Sequence, residues 1–124
     1  MSSKFVQEGK FMEVTLSGTV AVNAVDVIGT GKIGVAQKAG VSGDVINYAV
    51  EGVYNLPKVS GAVITQGQKV LFDVSAASGA GEVDDDQATP AAGDFLCGTA
   101  WESAGAGVLE IAVKINDVPS PTVT

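Results

Sequence analysis

The chain has 124 residues and a net charge of −7, carried by fourteen carboxylates against seven lysines, with no arginine and no histidine. Without imidazole there is no Ser-His or Cys-His pair and no proton shuttle or histidine metal ligand, and without guanidinium there is no fork for phosphate or guanine. The length suits one compact domain, and an acidic surface repels a nucleic-acid backbone, so no direct nucleic-acid partner is expected.

Apolar residues make up 46% but aromatics only 6%, and the Val- and Ala-rich segments are broken by sixteen glycines. That is the pattern of strands and turns. Residues 1–10 read as an extended arm in which Phe5 is the large apolar group. This stretch has no signal-peptide core, and no apolar run approaches the roughly 20 residues of a membrane helix, so a soluble protein made in the cytoplasm, with no membrane partner, is expected. Met12 to Leu16 alternates apolar and polar residues, the period of a half-buried strand, and Ser17-Gly18 signals a turn. Thr19 to Ile28 is Val-rich and closes at the glycines of Gly29 to Gly31; Lys32 to Gln37 is a further short strand, followed by a turn over Ala39 to Gly43.

Asp44 to Leu56 holds either one long strand or two joined at Glu51-Gly52, and Pro57 ends it because proline has no N–H for a ladder. Gln66 to Gln68 reads as a turn and Lys69 to Val74 as a strand. Ser75 to Gly93, with its small residues and aspartates, reads as a long loop. Phe95 to Trp101 and Val108 to Ile115 form a closing antiparallel pair, and residues 117–124 an extended tail. About eight short strands at regular spacing predict an all-β fold, a compact barrel or sandwich over residues 11–116. At most one or two short helical turns are expected, within Val63 to Gln68 and Asp86 to Ala92.

Several stretches invite a chemical reading and do not sustain it. Val27 to Gly34 contains a Gly-Lys pair, yet Lys32 is followed by Ile33 rather than the hydroxyl residue that a phosphate loop needs for magnesium. Glu82 to Gln87 clusters carboxylates but lacks the spacing of a calcium loop, and reads as an exposed solvated loop. Glu13, Glu51, Asp73 and Glu110 lie in or beside strands, where an outward charge is the ordinary reading. Cys97 sits in an apolar run and reads as a buried structural thiol. No catalytic set, metal site or cofactor is therefore expected. Lys4, Phe5, Val6, Gln7 and Lys10 form an arm suited to lying along an acidic or strand-edged partner, a frayed terminus being the plainer alternative.

Five segments stand in an order that resembles a known family: Lys4 to Lys10 (KFVQEGK), Gly31 to Gln37 (GKIGVAQ), Tyr48 to Lys58 (YAVEGVYNLPK), Ile64 to Asp73 (ITQGQKVLFD) and Leu96 to Asn116. The chain resembles the capsid cement, or head decoration, proteins of tailed phages. Some members carry a recombinase label that the residues here do not support. The resemblance implies a non-enzymatic structural protein on the outer surface of the virion capsid. It further implies homotrimers at three-fold and quasi-three-fold positions, bridging neighbouring major capsid subunits. Lys4, Phe5, Val6, Gln7, Lys10, Tyr54, Leu56, Lys58 and Trp101 are the expected capsid or subunit contacts. Two other readings remain open: a tail- or fibre-associated domain, and a carbohydrate-binding module using Trp101, Tyr48 or Tyr54 as stacking platforms.

Overall fold

The computed structural model describes residues 9–29, 31–85 and 93–117. Nine strands run through them: β1 (Phe11–Thr15), β2 (Val25–Ile28), β3 (Lys32–Ala36), β4 (Val45–Ala49), β5 (Val53–Pro57), β6 (Lys69–Asp73), β7 (Glu82–Asp85), β8 (Phe95–Ala100) and β9 (Glu110–Ile115). The fold is all-β, as composition and periodicity predict. The single short helical turn among the described residues is Ala77–Gly79, not Val63 to Gln68, which forms a β-bridge and a turn instead. The turn expected within Asp86 to Ala92 lies outside the described residues. A second correction concerns Glu82 to Asp85, expected as exposed loop. These residues form β7, because Val83 is drawn fully into the core and antiparallel pairing with β6 satisfies the backbone.

The strands form two sheets, ordered β1-β4-β3-β2 and β5-β9-β8-β6-β7. With β7 set aside, the two orders are the same pattern, β1 to β4 corresponding to β5, β6, β8 and β9. The registers agree except in β6/β8, where a bulge shifts the pairing by one residue between Val70 and Leu71 while β2/β3 runs unbroken. Phe11↔Ala49 through Thr15↔Val45 is matched by Val53↔Lys114 through Pro57↔Glu110. Val35↔Ala49 and Ala36↔Tyr48 are matched by Thr99↔Lys114 and Ala100↔Val113. Each half also carries one isolated antiparallel bridge between its two long loops, Val20↔Gly40 and Ile64↔Ala104. Three positions after each bridging residue stands one with positive φ: Asn23 (69°), Gly43 (94°), Gly67 (87°) and Gly107 (89°). Each is the third residue of a hydrogen-bonded turn, the geometry of a type II turn, which favours Gly or Asn there. The chain is thus an internal structural duplication of a four-stranded unit.

The halves differ in closure. In the second half, the chain continues past Pro57 so that the Lys58 amide donates to the Leu109 carbonyl (2.9 Å) and Lys58 makes a parallel bridge with Val83. The outer edges of the five-stranded sheet therefore meet, and the sheet wraps around Leu56, Ile64, Phe72, Val83, Ile111 and Val113. Pro57 costs no ladder bond here. Lys58 and Gly52 face β9, so by alternation the Pro57 nitrogen lies on the other side. Among the described residues the first half has no counterpart of β7, and its smaller core of Leu16, Ala36, Ile46 and Tyr48 is flanked by Val14, Val20, Ala24 and Ile28, which are only partly buried.

The two halves share one core, since Ile33, Val35 and Ala49 belong to the same cluster as the second half's interior. The bend at Glu51-Gly52 carries the chain from one sheet to the other, so Asp44 to Leu56 holds two strands. Asn116, just past β9, locks the join. Its Oδ1 accepts from the Ile33 amide (3.0 Å), and its Nδ2 donates to the carbonyls of Ile33 (2.9 Å) and Val50 (2.8 Å).

Candidate interaction surface

Of the contact residues expected from sequence, Lys4, Phe5, Val6 and Gln7 lie outside the described residues. Lys10 is exposed immediately before β1, and its carbonyl accepts from the Val50 amide (2.9 Å). Tyr54 is half-buried against the main core. Leu56 and Lys58 are internal: Leu56 fills the closed sheet and Lys58 is 1% exposed. Its ammonium turns inward because two loop carbonyls receive it there, Val59 O at 2.8 Å and Val108 O at 3.1 Å. Neither side chain is presented at the surface, so any contact by this stretch is made by its neighbours. Among the described residues, the expected contacts do not form a single exposed patch, since Leu56 and Lys58 are internal.

Trp101 is different. It follows β8, where its amide donates to the Ala112 carbonyl (2.8 Å) and its carbonyl accepts from Gln66 Nε2 (3.2 Å). The Gln66 amide donates to Ser103 Oγ (2.9 Å), and Glu102 Oε2 accepts from the Ala112 amide (3.0 Å). The backbone is pinned on both sides while the indole stays 51% exposed. A large aromatic held on a rigid loop loses little conformational freedom on binding, the usual physics of an interface anchor. Tyr48 is buried, its hydroxyl donating to Asp26 Oδ2 (2.6 Å), so it offers no stacking face. Burial, helped by that hydrogen bond and the Asp26 charge, raises its pKa to about 12.

Sequence reasoning missed a set of exposed apolar residues around the same loops and along β1. Val63, Val108 and Leu109 are exposed in the loops of the second half, and Val22 and Val41 in the corresponding turns of the first. Phe11 and Met12 are exposed on β1. The available signal was an aliphatic residue inside a turn, beside Asn23, Ser42 or Glu110, where solvent exposure is the default. The ion pair between Lys114 and Asp117 (3.9 Å) joins two exposed side chains and contributes little. Cys97 is fully buried, and burial pushes its thiol up to about 12, so it is a structural thiol as the sequence indicates.

What emerges is a duplicated β scaffold that shows aliphatic and aromatic side chains on tightly tied loops, a surface suited to binding another protein. No curated protein and no solved structure matches the chain. A family model described as phage cement protein matches residues 6–115, a span that contains every strand of both sheets. On that match the chain belongs to the phage cement protein family, and its role is structural, in the phage capsid.

Proposed function

We propose that the protein binds the outer surface of the assembled capsid and bridges neighbouring major capsid subunits, holding the expanded shell against internal pressure. The observation that carries this reading is the family match across both halves of the fold. The rigid loops with Trp101, Val63 and Leu109 support it, because many copies on a symmetric shell turn modest apolar contacts into firm attachment. In this reading the protein is a homotrimer at three-fold and quasi-three-fold positions, an arrangement that buries apolar loops left exposed on the single chain. The arm of Lys4, Phe5, Val6, Gln7 and Lys10 reaches a neighbouring chain, and Tyr54 and Trp101 contribute to the contacts. The virion surface is the site of action, and the protein acts without catalysis.

The test is stoichiometry in purified particles. Copies near one per major capsid subunit, lost together with resistance of the heads to heat, support cementing. A few copies per particle, or protein found on purified tails and missing from tail-less heads, refutes it.

A further inference from the structure

The duplication supplies an internal control for the first half of the molecule. In the second half, β7 lies antiparallel along β6 and reaches β5 through the parallel bridge Lys58↔Val83. The corresponding place in the first half, between β2 and β1, is occupied by no strand among the described residues. Two hollows stand there instead at successive levels along the two strands. One, of about 360 Å³, is lined by Val14, Asp26, Val27 and Tyr48 and the loop after β1; the other, of about 320 Å³, by Met12, Ile28, Gly31 and Lys32.

Burial records the same difference. Leu56, Ile64 and Phe72 are at most 1% exposed, whereas their counterparts Val14, Val20 and Ile28 are only partly buried. Leu71, paired with Asp84 of β7, is 6% exposed, and its counterpart Val27 is 41% exposed. The backbone of β2 is also available. Both the amide and carbonyl of Ile33 are taken by Asn116, so its register partner Val27 is not bonded to it. In an antiparallel ladder the amide and carbonyl of such a residue point to the outer edge. An open strand edge beside a partly filled apolar trough is a site for strand addition.

We infer that the slot between β1 and β2 receives an extended strand from the N-terminal arm of a second copy of this chain, centred on Phe5 to Gln7. Polarity decides between copies. A strand placed as β7 is runs parallel to β1, and a parallel connection needs a crossover of about a dozen residues or more. Only Gly9 and Lys10 intervene between residues 1–8 and β1, so a chain's own arm cannot take that course. Chemistry decides the segment. Aligned as β7 is on β6, Phe5 takes the place of Val83 beside Ile28, where the first half has a smaller residue than Phe72. Gln7 takes the place of Asp85, opposite Asp26. There the Gln7 amide is placed to donate to the Asp26 carboxylate, which already accepts from the Tyr48 hydroxyl (2.6 Å). The inference rests on the proposed function only for the premise that copies sit side by side.

The experiment uses full-length chains carrying Val6→Cys or Val27→Cys, joined by a short bismaleimide, in free solution and on decorated capsids. Cys97 is buried and stays silent. A cross-linked dimer in the mixture, well above that in either variant alone, is the expected result. An intrachain cross-link in the Val6→Cys/Val27→Cys double variant, in place of interchain products, overturns the inference in favour of the chain's own arm. A Val27→Cys thiol that is shielded from maleimide on decorated capsids but not in free solution, with no dimer formed, overturns it in favour of a capsid strand, and no cross-link in either setting overturns it too. Decorated capsids without the dimer refute this inference alone, and the dimer on a protein that never binds capsids refutes the capsid role alone.

Discussion

Replacing Asn116 by alanine tests whether one side chain holds the two halves together. The substitution removes three hydrogen bonds and leaves the Ile33 amide, in a residue with no exposed surface, without its acceptor. An unpaired buried amide costs about 1–3 kcal/mol, and the two carbonyls add somewhat less. Asn116 also has φ of +60°, where alanine costs about 1–2 kcal/mol. The expected loss is about 3–5 kcal/mol, a fall in Tm of roughly 10–20 °C for a domain of this size. Asn116→Gly separates the contributions, since it keeps the backbone at ease and loses only the clamp, so it should recover about 1 kcal/mol of the alanine loss. Urea denaturation followed by circular dichroism measures both. A loss below about 1 kcal/mol for alanine would show that the sheets are joined by core packing and not by this residue.

Three further outcomes are expected. At Gly98 a Cβ would meet the Lys114 carbonyl oxygen and stand 2.7 Å from Val113 Cγ1, so Gly98→Ala should destabilise by about 2–3 kcal/mol. Gly61→Ala, which meets nothing within 4 Å, should be near neutral, and equal melting of the two would refute the close approach. Tyr48 has a folded pKa of about 12 against an ordinary 10, so folding favours the protonated phenol. That contribution is intact below pH 10 and is lost as pH rises through 12; Tyr48→Phe should remove this part of the alkaline loss, and absorbance near 295 nm should show the phenol titrating about two units lower after denaturation. Lys58→Met keeps the length of the side chain but strands the carbonyls of Val59 and Val108, and a loss of about 1–3 kcal/mol in urea denaturation is expected.

Local pattern was enough to read most strands, because alternation and glycine turns are properties of neighbouring residues. Met12 to Leu16, Lys69 to Val74 and the pair closing at Ile115 were legible in that way. β7 was not. Its four residues carry three carboxylates, and only the unfilled edge of β6 makes burial of Val83 worth the ordering of the acidic chain around it. The burial of Lys58, an expected contact, is not legible for a related reason, since the carbonyls that receive it come from Val59 and from Val108, fifty residues away.

By itself, then, the sequence determined the all-β class, the lack of histidine and arginine chemistry, and the family through five ordered segments. Only the tertiary structure decided that the two halves repeat one another, that one is closed by an inserted strand while the other is open among the described residues, and that Trp101 is exposed where Leu56 and Lys58 are buried. Strand order and closure depend on pairings between residues far apart in the chain. Those pairings are selected by shared burial and backbone hydrogen bonding, quantities that no local window of sequence contains.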